Sequence, residues 1–553
     1  MSFPPELKKE ISKARKDGDF PGWMKRQAGV LMPVFSLPSP HGIGCFDKEA
    51  RHFIDMLALS GQSCWQILPV NPAGDYDSPY QPRTCFGGDP IYIDSEQLLE
   101  GGLVTEEEME KMDQIIASSD DNSDHNFHIQ NDTDINCNSS SFPHVNYNAV
   151  RKSRDYLFRK AFSRFIPDEQ FDAFLKANKF WLDDYALFQT IADFTGSYAW
   201  NQWPSGLRFR KAKALKDFEA SHRQELEYVK WLQFLFFTQW NNLLEYSHIH
   251  GISIVGDIPI YASFESADCW ASPELFQLDE NRIPENVAGA PPDGFSPDGQ
   301  VWGNPLYHWE VHKAQGYSWW ISRIRHNLQQ FDILRLDHTR GFSSYFSIPA
   351  DKGIASEGQW EKGPGTDFFR HLHQALGNTA LIAEDLGFIT QDVKEMVEDA
   401  GLPGMKVLQF AFDGDPHNPY LPENIPVNSV VYTGTHDNDT TAGWYDQLDH
   451  NGKKFVTRWL RQGQGIHESQ NCRAPFFSPR SVAAAMVQRA LMSKAFLCII
   501  PIGDYLLLGT EGRINTPGTV GINWSWRMNR SLFTEDLARS IARLAKQSGR
   551  SRE

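Results

Sequence analysis

Four short segments of this 553-residue chain end an apolar run on reactive polar side chains: Gly256–Pro259 (GDIP), Arg335–His338 (RLDH), Ala383–Leu386 (AEDL) and Thr435–Asn438 (THDN). In the second, the run from Phe331 reads as a strand, whose side chains alternate with a period of two. Arg335 and Asp337 therefore share one side, and Leu334 and Leu336 the other. A guanidinium beside a carboxylate in a poorly solvated site favours ionisation, which predicts a lowered pKa and a standing nucleophile at Asp337. Glu384 arrives beside other acids, where like-charge crowding and partial burial predict a raised pKa and a proton to donate. One ionised and one protonated carboxyl flanking a bond is the equipment of glycoside chemistry, and a retaining double displacement sets them about 5 to 5.5 Å apart. Neighbouring strands about 4.8 Å apart supply that separation. Asp437 is then placed to hold sugar hydroxyls and stabilise positive charge on the ring, with His338 and His436 bonding the same sugar. Each residue also has a plainer reading. A strand-end acid serves equally as a helix cap or turn residue, and Arg335 with Asp337 as a structural ion pair.

What favours chemistry is convergence, and convergence requires a scaffold. Eight short apolar, β-branched runs recur, beginning at Val30, Cys64, Ile252, Phe331, Ala380, Lys406, Ser429 and Phe496. Helix-like segments separate them, the pattern of parallel β/α units. In 224–246, Leu226, Val229, Leu232, Phe236, Trp240 and Leu243 keep the three- and four-residue spacing of a buried helix face. No GxGxxG turn follows the first run, so a closed α/β (β/α)₈ TIM barrel is expected over 21–545, with its chemistry at the strands' C-terminal mouth. Large insertions are expected around that mouth. One spans 96–245 between the second and third strands and contains a polar flexible loop, 118–141. Another spans 262–318 between the third and fourth and carries an active-site loop, 284–305. Its Phe295 and Trp302, like Tyr80 and Phe86 after the second strand, are candidates for stacking on sugar faces.

Composition narrows the partner. A net charge of −17 argues against a nucleic-acid polyanion. Seven scattered cysteines without a CxxC pair form neither a disulfide framework nor a zinc site and suit a reducing compartment. The first 22 residues lack the apolar core of a secretory signal, and the run from Phe496 is broken by Pro501, Gly503 and Asp504, so a cytoplasmic, membrane-free protein is expected. His248 with His250, and His371 with His373, are only weakly spaced like metal ligands. No metal and no cofactor are expected.

With those residues in place, the chain resembles a known family. The segments DSPYQ, GDIPIY, APPDGFSPDGQVWGNPLYHW, LRLDHTRG, IAEDLG and YTGTHDND occur in this order, followed by NTPGT and NWSWR. Together they are similar to the 4-α-glucanotransferases called amylomaltases or disproportionating enzymes, transferase relatives of the α-amylase clan, from about Pro21 to the C-terminal helix. The resemblance implies Asp337 as nucleophile, Glu384 as acid/base and Asp437 as transition-state stabiliser. It also implies sugar contacts at Ser78, Tyr80, Asp257, Asp293, Gln300, Trp302, Arg335, His338, Asp385, His436 and Asn515. The implied reaction moves α-1,4-glucan segments from a donor to glucose or a maltooligosaccharide, through a covalent glycosyl-aspartate; an α-glucan hydrolase is the alternative. Gly294 departs from relatives that often carry a larger side chain there, which bears on acceptor preference.

Overall fold

Eight parallel strands close on themselves in chain order: β1 (Gln27–Leu31), β2 (Cys64–Gln66), β3 (Ser253–Ile258), β6 (Ile333–Leu336), β9 (Leu381–Ala383), β10 (Gly404–Val407), β11 (Ser429–Tyr432) and β12 (Leu497–Pro501), which returns to β1. The computed structural model describes residues 23–120, 143–292, 298–387, 389–463 and 477–551. All eight expected strands are present. Their residues are buried almost without alternation, because helices cover the outside while side chains fill the inside.

The crossover helices form where expected, and their ends are set by local chemistry. Asp47 caps Lys48–Leu59 by accepting from the Glu49 and Ala50 amides, and Ser478 caps Pro479–Met492, which has proline in its first turn. The long helix Arg223–Ile249 buries Val229, Leu232, Phe236, Trp240 and Leu243. It also pins the segment after β2: Gln233 and Gln239 pair through their side-chain amides with both backbone groups of Gly88 and Asp94. A Cβ at Gly88 would stand 2.1 Å from the Phe236 ring, so only glycine admits this approach.

A second sheet was not expected. It is antiparallel, in the order β5 (Gln300–Pro305), β4 (Asn286–Ala290), β7 (Ser344–Pro349), β8 (Gln359–Lys362). The first two strands belong to the insertion before β6, while the last two follow β6 and looked like ordinary crossover in the sequence. Pairing of segments so far apart in sequence leaves no local signature. Of the expected polar loop 118–141, residues 118–120 end the helix Glu106–Asp120 and the remainder lies outside the described residues.

Five residues beyond the expected limit at 545, Arg550 is fully buried at the end of the barrel opposite the mouth. Its guanidinium donates to the carbonyls of Gln27, Leu491, Ser493, Ala495 and Phe496 at 2.6 to 3.2 Å. It thereby ties the closing β1–β12 seam to the chain terminus. Hydrogen bonds from a charged donor contribute about 1.5 to 3 kcal/mol each, and several are lost together with one side chain. Arg550→Met should therefore lower stability by about 3 kcal/mol or more. A reduced urea midpoint checks this, with the specific activity of the remaining folded enzyme unchanged.

Candidate active site

The barrel ladder carries on past the strand ends and brings two acids together. Asp337 N–H donates to Ile258 O at 3.0 Å, Glu384 N–H to Leu336 O at 3.1 Å, and Thr339 N–H to Glu384 O at 3.0 Å. His338 takes a left-handed conformation, φ 45°, uncommon for a non-glycine residue. That turn aims its amide at Glu384 Oε2, 2.7 Å away, while Leu386 N–H donates to Oε1 at 3.1 Å. Both carboxylate oxygens of Glu384 are thus held by backbone.

Beneath them lies a buried guanidinium. Arg335 Nη1 is 2.8 Å from each oxygen of Asp257 and 3.0 Å from Asp337 Oδ1. Tyr80 donates its hydroxyl to Asp257 Oδ2 at 2.8 Å. One cation therefore faces two carboxylates in direct contact, with Glu384 a third nearby. Burial raises Glu384 to about 8, with Asp337 and Asp385 adding to the rise and Arg335 opposing it. The raised pKa expected for Glu384 is found, with burial its largest cause. The lowered pKa expected for Asp337 is corrected: burial pushes its carboxyl up against the opposing pull of Arg335 and His436. The expectation weighed the attraction of Arg335 without the cost of desolvation, nor the sharing of that cation with Asp257. Direct contact with Arg335 still distinguishes Asp337 from Glu384, which has no cation within bonding distance among the described residues, and this favours the proton on Glu384.

Asp437 stands across the cavity. Burial would raise its pKa, but His436 and the hydrogen bond from Asn515 outweigh it and hold the carboxylate at about 2. Asn515 Nδ2 donates to Oδ1 at 2.6 Å, and His436 Nε2 lies 3.4 Å from Oδ2. Burial and the nearby Arg340 and Arg335 lower His338 to about 3, so its imidazole is neutral.

Aromatic rings shape the walls. Tyr80 stacks on His436 with centroids 5.1 Å apart and 18° between planes, and Trp524 packs against both. Trp302 meets His338 edge to face at 5.0 Å and donates its indole N–H to Gln300 at 3.0 Å. Gln81 and Asn304 exchange side-chain hydrogen bonds, fixing β5 to the loop after β2. The open cavity they line is about 440 Å³.

Of the expected residues, Ser78, Tyr80, Gln300, Trp302, Arg335, Asp337, His338, Glu384, His436, Asp437 and Asn515 all line this cavity. Asp257 lies under Arg335, its side chain fully buried. Asp385 turns away and bonds Met405 N–H and Lys406. Asp293 and Phe295 lie outside the described residues. Phe86 packs with Trp181 and Trp319, away from the mouth. The cavity also uses Tyr261, Leu386 and Trp524, which the sequence reading did not single out. All three stand inside quoted motifs (GDIPIY, IAEDLG and NWSWR) without an assigned role, and Gly518 and Gly521, both with positive φ, mark the turn that presents Trp524. Among the described residues no cluster of three or more His, Cys, Asp or Glu is arranged to hold a metal ion.

A (β/α)₈ barrel that delivers a protonated glutamate and two further aspartates into an aromatic-walled cavity defines an enzyme that cleaves or moves glycosidic bonds. Residues 32–533 match the family model described as 4-alpha-glucanotransferase. The chain is 40% identical over 515 residues to a 4-alpha-glucanotransferase of Thermus thermophilus, covering 91% of this chain and 95% of that one. It is 36% identical to the chloroplastic/amyloplastic enzyme of Solanum tuberosum, covering 94% and 86%. The amylomaltase of Streptococcus agalactiae, solved in complex with acarbose, superposes with a TM-score of 0.83 at 32% identity, covering 96% and 100%. The chain belongs to the 4-α-glucanotransferase family, glycoside hydrolase family 77, and is a glycosyl-transferring enzyme.

The raised Glu384 has a kinetic signature. A group that must donate a proton is active below its pKa, so kcat/KM should hold up to about pH 8. Above it the rate should fall about tenfold per unit as the proton is lost. A kcat/KM profile from acid to alkaline pH checks this, and a limb lying near the ordinary glutamate range would contradict the assignment.

Proposed function

We propose that the enzyme acts on α-1,4-glucans by a retaining double displacement in which Asp337 is the nucleophile, Glu384 the acid/base and Asp437 the transition-state stabiliser. An Asp337 oxygen attacks the anomeric carbon as the bond to the leaving 4-oxygen breaks, and Glu384 passes its proton to that oxygen. The product is a β-glycosyl ester on Asp337. Glu384, now a carboxylate, takes the proton of an incoming 4-hydroxyl, whose oxygen attacks the same carbon and returns Asp337 as a carboxylate. Glucose or a maltooligosaccharide serves as acceptor. Asp437 opposes the positive charge that builds on the ring. Ser78, Tyr80, Gln300, Trp302, His338, His436 and Asn515 contact sugar, and Arg335 carries Asp337 from below.

The observation that carries this reading is the distribution of charge. Arg335 touches Asp257 and Asp337, leaving Glu384 to hold the proton, and Asp437 is ionised across the cavity. The family supports the transferase outcome, and a cytosolic setting agrees with the five buried, free cysteines among the described residues.

Incubation with maltotriose should yield an oligosaccharide ladder and glucose at constant total reducing ends; a steady rise would mean water is the main acceptor. Asp337→Asn should reduce turnover by about 10⁴-fold or more with the fold intact. An α-maltosyl fluoride donor needs no proton on its leaving group, so Glu384→Gln should still accumulate the ester. Peptide mass mapping would then find the added maltosyl mass on Asp337, and its appearance on another residue would refute the assignment.

A further inference from the structure

Asp385 stands apart from the sugar contacts that the resemblance implied. Its carboxylate crosses the gap between β9 and β10, where Oδ1 accepts Met405 N–H at 2.7 Å and Oδ2 lies 3.4 Å from Lys406 Nζ. The fit is close: a Cβ on Gly404 would stand 2.4 Å from Oδ2. Lys406 also donates to Met405 O at 3.0 Å and lies 5.7 Å from the ring centre of Tyr420. Both side chains are mostly enclosed, at 15% and 16% exposure. The seam they bridge is thin, since β9 and β10 pair at the single register Ala383 to Gly404. Glu384 is the residue immediately after Ala383.

We infer that Asp385 and Lys406 form an ion pair that positions Glu384 and sets the charge beside it, making Lys406 a positioning residue for the transfer reaction. The mechanical part follows from the seam. Where the ladder supplies one register position, the side-chain bridge from Asp385 to the Met405 amide holds the backbone that carries Glu384. The electrostatic part follows from adjacency. An ionised Asp385 disfavours ionisation of Glu384 and adds, after burial and Asp337, to the rise of the Glu384 carboxyl. Lys406 partly neutralises Asp385. The groups facing Glu384 are Arg335 and Asp337 at β6, Asp385 on its own segment and Tyr420 from the loop after β10. His436 and Asp437 stand across the cavity. Of the described carboxylates around Glu384, Asp385 is the one with a lysine as partner, so its charge is adjustable without touching Arg335.

This inference rests on Glu384 being the acid/base, and the test separates the two. Transfer from maltotriose is measured across pH for wild type, Asp385→Asn, Lys406→Met and Lys406→Arg, with Glu384→Gln alongside. Asp385→Asn keeps an acceptor for Met405 N–H but removes the negative charge, so the alkaline limb should move down by about one pH unit. Lys406→Met leaves Asp385 without its cation, so the limb should move up and kcat should fall more than KM changes. Lys406→Arg keeps the charge and should restore both limb and kcat. Should Lys406→Met fail to fold, Asp385→Asn and Lys406→Arg carry the test. A limb in Asp385→Asn that coincides with wild type overturns the inference. So does a Lys406→Met limb that is unmoved or moves down, or a Lys406→Arg enzyme without the wild-type profile. Glu384→Gln that retained wild-type transfer would instead refute the acid/base assignment itself.

Discussion

A single buried guanidinium governs the centre of this enzyme. Arg335 is 3% exposed, and two carboxylates touch it directly. An arginine in such a place stays charged, because burial is opposed by strong attraction to Asp257 and Asp337. The charge count then adds to burial in setting the protonation of Glu384 above it. Two negative groups already share one positive group, so a third ionised carboxylate in the same low-dielectric pocket would be unpaired and costly. Glu384 therefore keeps its proton, which is the state a general acid needs. Asp257 takes no place on the cavity wall, yet without it Arg335 would have only Asp337 to answer, and the balance would change.

The geometry depends on backbone as much as on charge. Parallel registers β3 to β6 to β9 place successive strand ends beside one another. The left-handed turn at His338 lets the amide after Asp337 hold the Glu384 carboxyl. Around this rigid centre the loops do the shaping. The loop after β2 brings Ser78 and Tyr80, the antiparallel sheet brings Gln300 and Trp302, and the turn before Trp524 closes the remaining side. The barrel places the strand-end acids, and the loops supply the form of the cavity, as in other barrels of this architecture.

Much of this site was legible along the chain, and for a physical reason. The barrel strands are continuous apolar runs, so an acid at the end of one is conspicuous, and the period-two rule puts Arg335 and Asp337 on one side. Motif order from DSPYQ to NWSWR then carried the family. The direction of the Asp337 shift was not legible, because desolvation depends on what packs around a group and not on its sequence neighbours. Nor was the placement of Asp385, which is adjacent to Glu384 in sequence but turns its carboxylate into the next strand. Trp524, Leu386 and Tyr261 fell inside quoted motifs but received no role, because a cavity wall has no periodicity.

By itself the sequence determined the eight strands, the helices between them, and the acids that close four strand ends, since these are set by local hydrophobic patterning and by residue type. Only the tertiary structure decided which acid keeps its proton. It decided as well which strand-end residues line the cavity and which support from beneath, and that segments on either side of β6 pair into one sheet at the mouth. Those outcomes come from burial, from one cation shared among several anions, and from contacts between residues far apart in the chain, none of which is encoded in any short stretch of it.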